Sequence, residues 1–262
     1  MKKDERPETP RIINKWDLFQ VFLASFFMQA VWNFRSLISI GFSICFFPVL
    51  GKLCATPEMR REFFRRHLTF FNAHPYFASF ALGVSIRLEE MRVAGETGVT
   101  ETIGRLKELL ISPLGAIGDR LFWATIKPAA LIFGMVGIFI APHVWQKFVV
   151  LLVTFLMYNI PHFYYRFEGI LEGYNHPHDI HRYISQQRFE VLRSLFVYIL
   201  IVSALSLIVF YSYSLIRSEP INFLFFLLAV LFTIFLHRII RNFYLVTLGS
   251  FLFFLLVAIL FL

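Results

Sequence analysis

The stretch VLRSLFVYILIVSALSLIVFYSYSLI (residues 191–216) is followed by INFLFFLLAVLFTIFL (221–236) and FYLVTLGSFLFFLLVAILFL (243–262). Only a few polar residues separate the three runs. A helix that crosses the hydrocarbon core needs about 20 apolar residues, with a range of about 17–25. The first and third runs meet that length, and the middle one is slightly short. Working outward, residues 144–165 form a fourth candidate span. Residues 128–142 form a shorter fifth, bounded by Pro128 and Pro142, which suit helix limits.

Bulk composition agrees. Of 262 residues, 58% are hydrophobic and only 16% charged, and 34 are phenylalanine. Soluble domains carry about 25% charged residues. The net charge of +8 does not point to nucleic acid, because the basic residues lie between apolar runs, where they meet anionic lipid headgroups. Residues 1–14 are polar and read as a cytoplasmic tail rather than a signal peptide. Cys45 and Cys54 read as unmodified membrane thiols.

Charge bias orients the spans. Arg166, Arg182, Arg188 and Arg193, with His176, His178 and His181 among them, place residues 166–193 in the cytoplasm. The next loop, 217–220, is nearly neutral and suits the outside. His237, Arg238 and Arg241 return the chain to the inside. Run backwards, the alternation puts residues 87–107 in the cytoplasm.

The first eighty residues do not read as ordinary spans. A helix over 16–34 would align Ser25, Gln29 and Asn33 on one face, a pattern for an interfacial or protein-packed helix. Residues 38–53 are interrupted by Gly41, Pro48 and Gly51, and residues 68–86 by Asn72, His74, Pro75 and Gly83. Irregular backbone at membrane depth requires protein or a watery cavity around it, and two such segments point to a transport site. The expected fold is an all-α integral membrane protein. An N-terminal interfacial helix and re-entrant or broken helices come first, then about five transmembrane helices. Its divisions are a tail (1–15), the broken-helix core (16–127), two spans (128–165), a basic, histidine-rich segment (166–190) and three spans (191–262).

Polar side chains inside such a chain mark a substrate path or a partner interface. The candidates are Gln29, Trp32, Asn33, His74, Glu89, Glu90, Asp119 and Trp123. Sugars are held by carboxylates and amides that take hydroxyls in pairs, with aromatic faces against the ring. Asp119 and Trp123 share a face if a helix begins at Asp119. Each candidate has a plainer reading. Gly118-Asp119 before an apolar run is an N-cap pattern, Glu89 and Glu90 can pair with Arg87 or Arg92, and Gln29 and Asn33 can bond between helices. The His176-Pro177-His178 stretch lacks a second ligand group and reads as interfacial histidines, so no metal or other cofactor is expected. No phosphate-cradling G-x-x-x-x-G-K-[ST] loop and no arranged nucleophile is present, so no catalytic residue is expected.

These motifs also resemble a known family, the D component (IID) of mannose/fructose/sorbose-class phosphotransferase systems. The resemblance rests on Gln29-Ala30-Val31-Trp32-Asn33-Phe34, on Arg65-Arg66-His67-Leu68 and on Phe71-Asn72-Ala73-His74-Pro75-Tyr76. It continues with Leu82-Gly83-Val84, Glu89-Glu90-Met91-Arg92, Pro113-Leu114-Gly115 and Gly118-Asp119 with Phe122-Trp123. It implies a bacterial inner-membrane protein with a cytoplasmic N-terminus, embedded in lipid. It implies a hetero-oligomer of repeated copies with a IIC membrane subunit, served by cytoplasmic IIA and IIB proteins that carry phosphate. Sugar is then phosphorylated as it enters, and this chain is a non-catalytic subunit. The family usually has proline after Gly-Asp, where this chain has Arg120, which can pair with Asp119 or reshape the turn. Its outer loop at 217–220 is also shorter. Those departures motivate an alternative, a scaffold or regulatory subunit that does not transport.

Overall fold

The computed structural model describes residues 10–261, so most of the expected tail, residues 1–9, and Leu262 lie outside them. The described residues are helical, with two isolated β-bridges and no strand.

Helix α1 (Lys15–Ser25) starts at a reciprocal capping box, in which Asn14 Oδ1 accepts from the Asp17 N–H (3.0 Å) and Asp17 Oδ2 from the Asn14 N–H (2.7 Å). It stops nine residues before the expected end at 34, and turns follow. The cause is tertiary. The Ser25 carbonyl is taken by the Arg166 guanidinium and, in a tighter turn, by the Met28 N–H (3.2 Å). Ser25, Gln29 and Asn33 therefore do not share a helix face.

The short helices α2 (Ser39–Ile44) and α3 (Phe47–Leu53) break where Pro48 enters the first turn of α3, which spares a proline the loss of a helix bond. Helix α4 (Pro57–His67) begins on Thr56, whose hydroxyl accepts from the Met59 N–H (3.3 Å). After an irregular stretch comes α5 (Ala78–Val93), buried continuously from Ala78 to Glu90. Gly83 does not interrupt it, contrary to the expectation. A side chain there would collide with the Ile170 carbonyl, and one at Gly173 with the Phe80 carbonyl. The two glycines let α5 and α8 (Val144–Asn175) approach backbone to backbone.

A second correction concerns residues 99–140. Helix α6 (Val99–Gly118), a π-helical segment (Asp119–Ile126) and α7 (Lys127–Ile140) form one continuous 42-residue helix. The run from Pro128 is thus the second half of a long helix rather than a separate short crossing. Asp119, at φ −63° and ψ −45°, is inside the helix and is not an N-cap. The widened π turn, in which Thr125 Oγ1 donates to the Arg120 carbonyl five residues back (2.8 Å), precedes Pro128 and relieves the clash a proline makes with the turn before it. Helix α8 likewise continues ten residues beyond 165, which carries Arg166 into the protein.

After α9 (Ile180–Tyr183) come α10 (Gln186–Ser218), α11 (Pro220–Ile239) and α12 (Phe243–Phe261). Only Glu219 joins α10 to α11, so the connection is shorter than the expected 217–220. The chain divides within α10, near Ile201, into two units. In the second, α11 packs on α12, with Phe232 stacked on Phe253 at 4.9 Å.

Four stretches are long and apolar enough to cross a membrane: Val99–Ile140, Val144–Asn175, Ile180–Ser218 and Pro220–Ile239. Phe243–Val257 is a shorter fifth. Their most apolar windows are only 0–28% buried within the protein. Such outward apolar surface is stable against hydrocarbon, not water. The molecule is a multi-pass α-helical membrane protein.

Candidate functional site

Three of the eight candidate residues meet in space. His74 lies in the bend between α4 and α5, its Cβ so close beneath Gly118 that no side chain fits there. Its ring stacks on Phe122 (5.4 Å, 19°) and lies 5.2 Å from Trp123 and 4.7 Å from Tyr76. Trp123 hydrogen-bonds to Asp119 one turn earlier, so the two share a face as expected, although no helix starts there. Asp119 and Trp123 are exposed, and His74 is buried behind them. Lys127 Nζ lies over the Trp123 ring at 4.8 Å, and the Asp119 carboxylate stands beside that ring on the outside of a membrane-spanning helix.

Behind it runs a polar chain that the sequence reading missed. Tyr76 stacks on His162 at 3.8 Å and shares a hydrogen bond with Tyr158. His162 Nε2 accepts from Arg166 Nε (3.1 Å). The Arg166 guanidinium also bonds Ser25 Oγ (3.1 Å) and lies over the Phe26 and Tyr76 rings at 4.9 and 5.1 Å. Arg166 is 3% exposed. A cation so deeply buried persists only where carbonyls, lone pairs and π faces replace water. His74 Nδ1 accepts from the Tyr76 N–H (3.3 Å), while His74 Nε2 and His162 Nδ1 are buried without a hydrogen-bond partner. Tyr158, His162 and Arg166 stand at i, i+4 and i+8, a polar stripe legible in the sequence once α8 is drawn to its full length.

The other candidates lie apart. Asn33 is consumed locally, with Oδ1 accepting from the Arg35 and Ser36 N–H groups (3.0 and 2.9 Å) and Nδ2 donating to Ser36 Oγ (3.0 Å). Gln29 and Trp32 lie in the same loop and are exposed, Trp32 packing edge-on against Phe34, itself 90% exposed. Glu89 and Glu90 form the ion pairs the sequence indicates, and more. Arg92 Nε meets Glu89 at 2.7 Å, and Arg66 grips it with two bonds of 2.9 and 3.0 Å. His67 Nε2 adds a bond of 3.0 Å. Burial alone would raise the Glu89 carboxyl, but the hydrogen bonds from His67 and Arg66 hold it down at about 2. Burial lowers the His67 imidazole from its ordinary value, and its Nε2–H donates to the Glu89 carboxylate. Glu90 pairs with Arg87 (2.6 Å) and accepts from Tyr174 (2.8 Å) and from the Ile12 and Ile13 N–H groups, which fastens the N-terminal segment. Both glutamates are thus committed to holding the fold.

Arg120 lines a small crevice with Phe189, Glu190 and Arg193 of α10. His176 stacks on Tyr183 at 4.7 Å and lies 3.7 Å from Glu172, and Cys45 and Cys54 are buried free thiols.

Comparison with known proteins follows the same outline. Residues 12–209 match the model of the phosphotransferase system mannose/fructose/sorbose family IID component. The mannose-specific EIID component of Escherichia coli K12 is 32% identical over 177 residues, 66% of this chain and 59% of that protein. The sorbose-specific EIID component of Lacticaseibacillus casei is 34% identical over 122 residues, 47% of this chain and 43% of that one. The matched region therefore spans about half of the curated relatives' length, 59% and 43%. Among solved structures, the fold is similar to a chain in the cryo-EM structure of the mannose transporter ManYZ with microcin E492. The TM-score is 0.59 at 22% identity, covering 87% of this chain and 97% of that one. A second membrane protein of known structure gives a TM-score of 0.61 at 29% identity, over 71% of this chain and 68% of that one.

Proposed function

Since the chain belongs to the IID component family of mannose/fructose/sorbose phosphotransferase systems, we propose that it pairs with a IIC membrane subunit to form the path for phosphorylation-coupled sugar uptake. The observation that carries this reading is the placement of Asp119 and Trp123. A charged and an amphipathic side chain stand exposed on a membrane-spanning helix, with the buried His74–Tyr76–His162–Arg166 chain directly behind them. Lipid is a poor neighbour for that face, since the cost of a carboxylate turned towards hydrocarbon rises to about 2.5–3.5 kcal/mol on the insertion scale at the centre of a bilayer. A second subunit that brings its own polar groups relieves the cost and encloses a hydrated route between the two proteins.

In this reading the chain does not take up phosphate itself. Cytoplasmic IIA and IIB proteins carry the phosphoryl group, and the complex contains repeated copies of both membrane subunits. It sits in the bacterial inner membrane with its N-terminus in the cytoplasm, as Arg182, Arg188 and Arg193 and the basic residues around 240 favour. The test is uptake of labelled hexose in cells lacking this chain, with phosphoenolpyruvate supplied to inverted or permeabilised preparations. Uptake should vanish on deletion and return with the wild-type chain, whereas Asp119→Leu should restore less than about a tenth. Uptake that persists without the chain would overturn the reading.

A further inference from the structure

Helix α4 is fastened to the fold at its C-terminal end. Arg66 grips Glu89 there, and Lys107 Nζ donates to the His67 carbonyl (2.7 Å) and to Thr69 Oγ1 (3.2 Å). These bonds hold α4 beside residues 87–107, the segment that the charge alternation puts in the cytoplasm. The inner side of α4 buries Phe63 and His67. The outer side carries Arg60, Arg61 and Arg65, all exposed. Among the described residues none of the three forms an ion pair, although Glu58 and Glu62 stand on the same helix. Arg60 Nε donates to the Cys54 carbonyl (3.3 Å), which anchors its guanidinium at the surface.

The helical period explains why the charges stay apart and what they face. Arg60 and Arg61 flank Phe64 within about 60° of it around the axis, whereas Glu58 and Glu62 lie about 120–160° away. Phe64 is half-buried, with Leu68 one turn further on and 44% exposed. Phe47 of α3 meets Phe64 edge-on at 6.2 Å and is 57% exposed. One flank of α4 thus sets an apolar strip among arginines, and the acidic residues point elsewhere. An acidic protein surface would answer the arginines but not the exposed rings. A layer of anionic headgroups over acyl chains answers both. We propose that this flank of α4 is a docking site for anionic phospholipid of the cytoplasmic leaflet, with Arg60, Arg61 and Arg65 on the phosphates and Phe47, Phe64 and Leu68 against the upper acyl chain. A guanidinium forks onto phosphate oxygens, and a choline headgroup sets its own cation against the arginines and binds more weakly. The site is independent of the sugar path and stands whether or not Asp119 serves transport.

The test uses the full chain, purified in mild detergent with whatever membrane subunit accompanies it. Native mass spectrometry follows titration with phosphatidylglycerol and phosphatidylcholine of identical acyl chains. The wild type should retain phosphatidylglycerol at least fivefold better. Arg61→Gln combined with Arg65→Gln changes only exposed, unpaired side chains and should cut that preference below twofold. Phe47→Ser should lower retention of both lipids severalfold while phosphatidylglycerol stays favoured. Equal retention of the two lipids by the wild type would overturn the proposal, as would a double arginine variant or a Phe47→Ser variant that binds like the wild type. So would a photocrosslinker at position 68 that captures a protein in place of lipid in native membranes.

Discussion

Helices α5 and α11 have similar lengths and both are rich in apolar residues, yet they meet different solvents. Helix α5 is buried without a gap from Ala78 to Glu90, and it encloses Ser79, Ser85, Arg87, Glu89 and Glu90. Helix α11 has no buried residue at all, and its charged residues gather in its last turn. Protein surrounds the first, so close backbone packing and paired charges decide its stability. Lipid is the natural surround of the second, where apolar length suffices and the identity of a given side chain matters little.

The sharpest way to break that contrast is to add volume to each region. Gly83→Val drives a side chain into the Ile170 carbonyl, and overpacking against backbone costs more than the usual range of about 1–3 kcal/mol. Gly249→Val in α12 meets open space and should stay within about 0.5 kcal/mol. Fluorescence-detected size exclusion should therefore lose the monodisperse peak for the first variant and keep it for the second. Charge removal should give the next largest difference. Glu89→Ala leaves Arg66 and Arg92 without their carboxylate, a loss of about 3–5 kcal/mol for a broken buried pair. Arg238→Ala on α11 is exposed and should change thermal stability by less than about 0.5 kcal/mol.

The same carboxylate predicts a pH effect. Its folded value of about 2 lies below the ordinary 4.5. The stabilisation is thus complete above pH 4.5, declines as pH falls and is lost below about 2. Its upper size is about 3 kcal/mol. Unfolding in detergent across this window should steepen in the wild type, and Glu89→Gln should flatten that limb. Among the substitutions that remove an internal contact, the smallest effect is expected of Tyr158→Phe, which deletes the hydroxyl bonded to Tyr76 and should cost about 1 kcal/mol in thermal unfolding.

What the sequence made legible follows the same division. Apolar length revealed the C-terminal helices and a short connection at 217–220, which the structure narrows to Glu219, because in lipid length is the governing constraint. The sequence indicated that Glu89 and Glu90 pair with Arg87 or Arg92, and the structure resolves this into Arg87 with Glu90 and Arg92 with Glu89, each three apart on one helix. Elsewhere tertiary contacts overrode local signals. Gly118-Asp119 reads as a cap, but α6 already runs into it and the π turn absorbs the proline that follows. Nothing between Ser25 and Asn33 punctuates a helix, yet α1 ends where Arg166, far away in sequence, binds the Ser25 carbonyl. Arg166 itself was assigned to a loop by the charge rule, which cannot distinguish a surface arginine from one held by carbonyl and π faces. Of the site, His74, Asp119 and Trp123 were recognisable as misplaced polar groups. Tyr76, Tyr158 and His162 were hidden among the aromatic residues.

The claim on which the rest depends is that the face bearing Asp119 and Trp123 is covered by another membrane subunit. Photocrosslinking from Ala124, exposed beside Trp123, tests it in native membranes. The expected product is an adduct with a second polytopic protein, reproducible and lost when that protein is not made. Adducts with lipid alone would contradict the claim.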